Sequence, residues 1–114
     1  MAYTTIDDPS AHFQTKIYSG QNSQLAVTND GNSDLKPDWL WIKSRNDSDI
    51  HVVTDSNRGT DLYLSTNSTL AEVSSTADVE AFGTDGFTVN GPNDRVNTGG
   101  GLYVAWQWKA GGGT

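Results

Sequence analysis

Seven short runs carry strand-like patterning: HFQTKIYSG (12–20), SQLAVTND (23–30), DWLWIKSR (38–45), IHVVTDS (50–56), TDLYLST (60–66), GFTVNG (86–91) and GLYVAWQWKA (101–110). Brief strands at even spacing are the signature of a sandwich or barrel. The segments between them, among them NDGNSD, SRNDSD, DSNRGTD and NGPNDR, are rich in Asn, Asp and Gly, which tolerate left-handed backbone and form Asx turns. No segment keeps a 3.6-residue apolar period for three turns, so helix cannot dominate. The one place where a helical turn is expected is STNSTLAEVSSTADVEAFG (65–83), where Thr69 and Glu72 match a capping box, giving at most one short turn near 69–74. The expected fold is all-β, an antiparallel β-sandwich of jelly-roll or lectin-like type. Its expected layout is an N-terminal arm (1–11), a sandwich domain (12–109) and a glycine-rich exit (110–114).

Two strands carry a Trp-x-Trp pair, Trp39 with Trp41 and Trp106 with Trp108. Alternation puts Trp39 and Trp41 on one face with Leu40 and Ile42 on the other. It likewise sets Val104, Trp106 and Trp108 against Tyr103, Ala105 and Gln107. Their likeness suggests neighbours in one sheet. The indoles are either a platform on which sugars or bases stack, or the filling of the interior. Only 34% of the 114 residues are hydrophobic, and four Trp, four Tyr and three Phe supply much of the bulk. The tryptophans are therefore expected in the core, with Tyr103, Trp106 and Trp108 as the candidate ligand-binding residues should an aromatic be spare.

Charge narrows the partners. Fourteen acidic against seven basic residues give a net charge of −7, which repels a phosphate backbone and an anionic membrane surface alike. No apolar run approaches the roughly 20 residues that span a bilayer. Neither nucleic acid nor membrane is expected as a partner. Cysteine is absent, so packing and sheet hydrogen bonds must hold the fold. The opening MAYTTIDDPS has neither the basic nor the apolar region of a secretory signal.

Catalytic and metal chemistry find little support. His12 and His51 are the only imidazoles; His51 can be paired on paper with Asp49 or Asp55, but no nucleophile elbow, His-Glu-x-x-His or phosphate loop accompanies them. The acids cluster in turns rather than as a spaced pair for glycoside hydrolysis. Asp30, Asn32, Asp34 and Asp38 imitate the first half of a calcium loop, but Lys36 and Trp41 occupy later ligand positions. Asp55, Asn57 and Asp61 could share a cation, while Arg58 more simply pairs within its own loop. Asn46-Asp47-Ser48 and Asn67-Ser68-Thr69 match the glycosylation pattern, which chance explains. No enzyme activity, cofactor or metal is expected.

Taken together, KPDWLWIKSR, DSNRGTDLYLSTNSTLAE, AFGTDGFTVN and LYVAWQWKAGGGT resemble a domain recurrent in structural proteins of marine tailed bacteriophages, from about His12 onward. The matching positions are Pro37 to Trp39, Trp41 to Lys43, Asp55, Ser56, Arg58, Gly59, Asp85 to Thr88, Tyr103 to Trp106, Trp108 and Lys109. Gln107 departs from the cysteine common at its position, and Asn57 from a small apolar residue; the first puts any inter-chain contact through that position in doubt. The resemblance implies a non-enzymatic virion protein, a capsid decoration or a tail-fibre or appendage module. It would be made in the host bacterial cytoplasm, bind capsid or tail proteins and form a homo-oligomer. The alternative is a carbohydrate-binding module that recognises host-surface glycans.

Overall fold

Alternating side chains and Asn/Gly turns resolve into nine strands over residues 7–110, the part described by the computed structural model: β1 (Phe13–Ser19), β2 (Leu25–Thr28), β3 (Trp39–Ser44), β4 (Val52–Asp55), β5 (Leu62–Tyr63), β6 (Val73–Ser74), β7 (Val79–Gly83), β8 (Gly86–Val89) and β9 (Leu102–Trp108). All pairings are antiparallel. A four-stranded sheet has the order β1-β9-β3-β4, a three-stranded sheet the order β2-β8-β7, and β5-β6 make a small ribbon. The core forms where the two larger sheets face each other, as expected of a β-sandwich. It contains Leu40, Ile42 and Val52 with Tyr103 and Ala105 from the first sheet, and Val27, Val79, Phe87 and Val89 from the second.

The seven expected runs are β1 to β5, β8 and β9. The helical turn near 69–74 does not form: the segment is irregular until β6 begins at Val73. Leu70 is exposed, so no apolar contact anchors a helix there, and the Glu72 carboxylate is engaged by Arg58 instead of closing a capping box. β7, also within that stretch, pairs with β8. The hairpin depends on Gly86, whose φ is +132° and whose Cβ, if present, would lie 2.0 Å from the Val27 carbonyl oxygen.

Among the described residues the helical turn that exists is a 3-10 turn at Pro9–Ala11, capped by Asp8, which accepts from the Ser10 amide at 3.1 Å. Asp8 also accepts from the Asn32 amide and the Ser33 hydroxyl, which ties the end of the expected N-terminal arm to the loop before β3. Those hydrogen bonds, led by the Ser10 and Ser33 hydroxyls, hold its carboxyl well below the usual carboxylate range. The remainder of the arm (1–6) and most of the glycine-rich exit (111–114) lie outside the described residues.

Two polar pairs inside the fold are matched, while the buried Ser44 hydroxyl has no partner among the described residues. Asn29 and Gln107 exchange two amide hydrogen bonds, at 3.0 and 2.7 Å. The buried Asp78 carboxylate receives Arg95 Nε at 2.8 Å and Nη2 at 3.2 Å, and the same guanidinium lies 5.4 Å from the Tyr63 ring centroid. A buried carboxylate is tolerated only with such partners.

Candidate functional site: the aromatic outer face

The four tryptophans are not in the core. Register places Trp39 opposite Trp108 and Trp41 opposite Trp106, so the two Trp-x-Trp strands are adjacent as expected. Their indoles, however, project from the outer face of the four-stranded sheet, away from the second sheet. Leu40, Ile42, Tyr103, Ala105 and Gln107, the alternate residues of the same strands, are buried. The expectation that indoles fill the interior is overturned, because Tyr63, Phe87, Tyr103 and the aliphatic residues fill it without them.

Tyr103 belongs to that interior and not to the aromatic outer face: it is 1% exposed. Its hydroxyl donates to the Asp94 carbonyl and accepts from the Thr98 amide, each at 2.9 Å. Of the three candidate residues, Trp106 and Trp108 share the outer face and Tyr103 is separated from them by the thickness of the sheet. Gln107 is also internal, 0% exposed and paired with Asn29.

The rings of the outer face touch in sequence. Phe13 lies 4.8 Å from Trp108, Trp108 4.5 Å from Trp39, Trp39 6.0 Å from Trp41, and Trp41 4.7 Å from Trp106, measured between centroids. These tilted and edge-on arrangements suit the ring quadrupoles. His51 closes one end, 6.0 Å from Trp41. Aliphatic neighbours extend the patch: Ile17 and Val104 are opposite each other in the β1-β9 register, and Leu102 follows on the same face. The most exposed members are Ile17 at 59%, Phe13 and Leu102 at 38% and Trp108 at 36%. Trp41 sits in the middle of the rings, and its Nε1–H is buried with no hydrogen-bond partner among the described residues. Charges lie at the margins: Lys43 beyond Trp41 on β3, and Asp55 beside Trp39 on β4.

Next to Trp39 the face falls into a cleft of about 490 Å³ lined by Asp38, Asp55, Ser56, Asn57 and Ala110. Both carboxylates there have loop-forming work. Asp38 accepts from the Ser56 hydroxyl at 3.1 Å and the Ala110 amide at 2.9 Å. Asp55 accepts from the Asn57 and Arg58 amides and from Arg58 Nε at 2.7 Å, the ion pair expected within this loop. Burial opposes ionisation of Asp55, but the Arg58 hydrogen bonds and charge outweigh it and hold its carboxyl low.

Of the residues considered for catalysis and metal binding, Asp38, Asp55 and Asn57 share that cleft, while His51, His12, Asp30 and Asn32 have other surroundings. His51 Nδ1 meets Thr66 Oγ1 at 2.8 Å and not Asp49 or Asp55, and partial burial, with Lys43 nearby, lowers its pKa. His12 is exposed at the start of β1. Asp30 pairs with Lys16 at 3.0 Å, and Asn32 is bound to Asp8.

Alternation marks seven of the nine strands, missing β6 and β7, and points to the wrong face of the large sheet. The inward positions of β1 and β9 include Gln14, Lys16 and Gln107, which look like a solvent face. Gln14 is in fact buried because its amide donates to the Ser10 and Ser33 carbonyls and its oxygen accepts from the Gly31 amide. The signal that would have separated the faces is the inward set of β3 and β4, Leu40, Ile42 and Val52, which needs no polar rescue.

Residues 8–114 match the profile of a family described as a domain of unknown function, DUF7483. No curated protein and no solved structure matches the chain.

Proposed function

We propose, for a chain that belongs to the DUF7483 family, a non-enzymatic structural role in the virion of a tailed bacteriophage, as a capsid decoration or a fibre or appendage module. It is made in the host cytoplasm, binds other virion subunits and forms a homo-oligomer. One observation carries this reading: the largest apolar side chains of the molecule are spent on the outside of a sheet. A contiguous apolar patch on a protein surface marks a site of contact, and aromatic residues are the commonest anchors of such contacts. The centre of the patch has no charged side chain, so the surface it meets on a neighbouring subunit is apolar as well. Such docking persists in high salt, since burial is screened far less than charge attraction. The resemblance of the four sequence blocks to tailed-phage structural proteins is what favours a particle as the setting.

The test is co-sedimentation of the chain with capsids and with tail complexes purified from the phage that encodes it. Binding to one of the two is expected, weakened at least about tenfold by Trp108→Glu and little changed by salt. Absence of wild-type binding to both contradicts the reading.

A second reading, recognition of host-surface glycans, is favoured by the cleft beside Trp39, where an indole adjoins two carboxylates and the Asn57 amide. Sugar rings stack on indoles through their C–H faces while hydroxyls bond to such groups. Glycan-array binding that disappears in Trp39→Ala and survives in Trp108→Glu would support it; no binding on the array removes it.

A further inference from the structure

We propose that the open edge of the four-stranded sheet is a self-pairing surface: β1 binds antiparallel to β1 of a second copy, with the two-fold axis at Thr15, making one continuous eight-stranded sheet. This rests on the homo-oligomer reading above and specifies the surface that such an assembly uses.

β1 is seven residues long and stands at the end of the sheet, paired with β9 alone. Its parity is fixed by the bonds that flank it. The Lys109 amide donates to the His12 carbonyl and the Gly20 amide to the Gly101 carbonyl, so even-numbered residues direct their backbone groups at β9. In an antiparallel ladder the alternate residues point theirs the other way. Phe13, Thr15, Ile17 and Ser19 therefore present N–H and C=O to the open side, and none of these groups has a partner among the described residues. Their side chains are exposed. Proteins that must stay monomeric blunt such an edge with proline, a bulge, a very short strand or outward charges. β1 has an unbroken register from Phe13 to Ser19, no proline and one charged side chain, Lys16. The other end of the sheet is treated differently: β4 is covered at Val53 by a two-way backbone bridge to Leu64.

The sequence of the edge selects the occupant and the register. Only pairings of odd with odd residues form hydrogen bonds across it. Centring on Lys16 would set two ammonium groups directly opposite each other, which is unfavourable. Centring on Thr15 sets Lys16 opposite Gln14, Thr15 opposite its own copy, and Phe13 opposite Ile17, so each of the two most exposed apolar side chains of β1 gains the other as a cross-strand neighbour. Both partners of every contact are then found in one strand, as a two-fold interface requires. The joined sheets bring two aromatic faces side by side, doubling the apolar surface offered to a third subunit.

The chain contains no cysteine, so single cysteines report the register directly. At the axis, Thr15 and its copy would form a hydrogen-bonded pair with Cα atoms about 5.5 Å apart, within disulfide range. Phe13 would lie about 13 Å from its own copy, four residues along a strand. In a sedimentation series the wild type is expected to dimerise. Thr15→Cys is expected to give a disulfide-linked dimer on mild oxidation and Phe13→Cys to stay monomeric, while a mixture of Phe13→Cys and Ile17→Cys links. Thr15→Pro removes an outward N–H and is expected to weaken dimerisation at least about tenfold, with a melting temperature unchanged at dilutions where both proteins are monomeric. A wild type that remains monomeric at every concentration overturns the homo-oligomer reading and this inference together. A dimer that forms without the Thr15 link, or that persists in Thr15→Pro, overturns this inference alone.

Discussion

The two faces of one sheet follow opposite rules. On the inner face of β3 and β9, Leu40, Ile42, Tyr103 and Ala105 are wholly buried, and even the amide of Gln107 is matched to Asn29. On the outer face, one residue along at every step, stand Trp39, Trp41, Trp106 and Trp108, the bulkiest side chains in the chain, all retaining contact with solvent. Bulk and interior are therefore different properties. The interior is filled by the single-ring aromatics Tyr63, Phe87 and Tyr103 and by aliphatic residues, which fit between two sheets about 10 Å apart. The exterior holds a layer of rings that support one another by edge and tilted contacts. The proposed role assigns stability to the first face and association to the second.

That division can be broken by mutation, beginning with the inner face. Ile42→Ala is expected to lower unfolding free energy by about 2–5 kcal/mol, read by urea denaturation, because the surrounding sheets cannot close on the cavity. A loss below about 1 kcal/mol would mean the inner face is not the core. Gln107→Leu is expected to cost about 1–3 kcal/mol, since it strands the buried Asn29 amide; an unchanged midpoint would show that the pair contributes no stability. Trp108→Ser, on the outer face, is expected to cost less than Ile42→Ala while abolishing particle binding, because Trp108 is 36% exposed and its loss leaves no closed cavity. A loss as large as that of Ile42→Ala would erase the contrast.

The smallest effect is that of pH. Partial burial and Lys43 favour the neutral His51 ring, so its folded pKa lies below its unfolded value near 6.5. Its contribution to stability is complete above that value and is lost as pH falls through the lower folded pKa. Lowering the pH from 7 to 5 is thus expected to reduce the melting temperature slightly, and less so in His51→Gln. An equal decline in both would assign the effect elsewhere.

The strands were legible because alternation and turn chemistry are local: WLWIKS and LYVAWQW read as β before any contact is known, and their adjacency followed from likeness. Direction was not legible. Choosing a face requires knowing what lies across from it, and the inward Gln14 and Gln107 are satisfied by groups on distant loops, Ser33 and Asn29. Tyr103 misled for the same reason, since the carbonyl and amide that bind its hydroxyl come from the loop at Asp94 and Thr98. The failed turn at 69–74 is a lesser case, in which Arg58 from another loop captured the Glu72 side chain that would have closed the cap.

The outward aromatic layer is tested most directly by NMR of the isolated chain with a soluble paramagnetic agent. Strong relaxation of the Trp108 and Phe13 ring protons is expected, with the Trp41 indole N–H shielded among its neighbours and the Leu40 and Ile42 methyls untouched. Indoles as protected as those methyls would contradict the account.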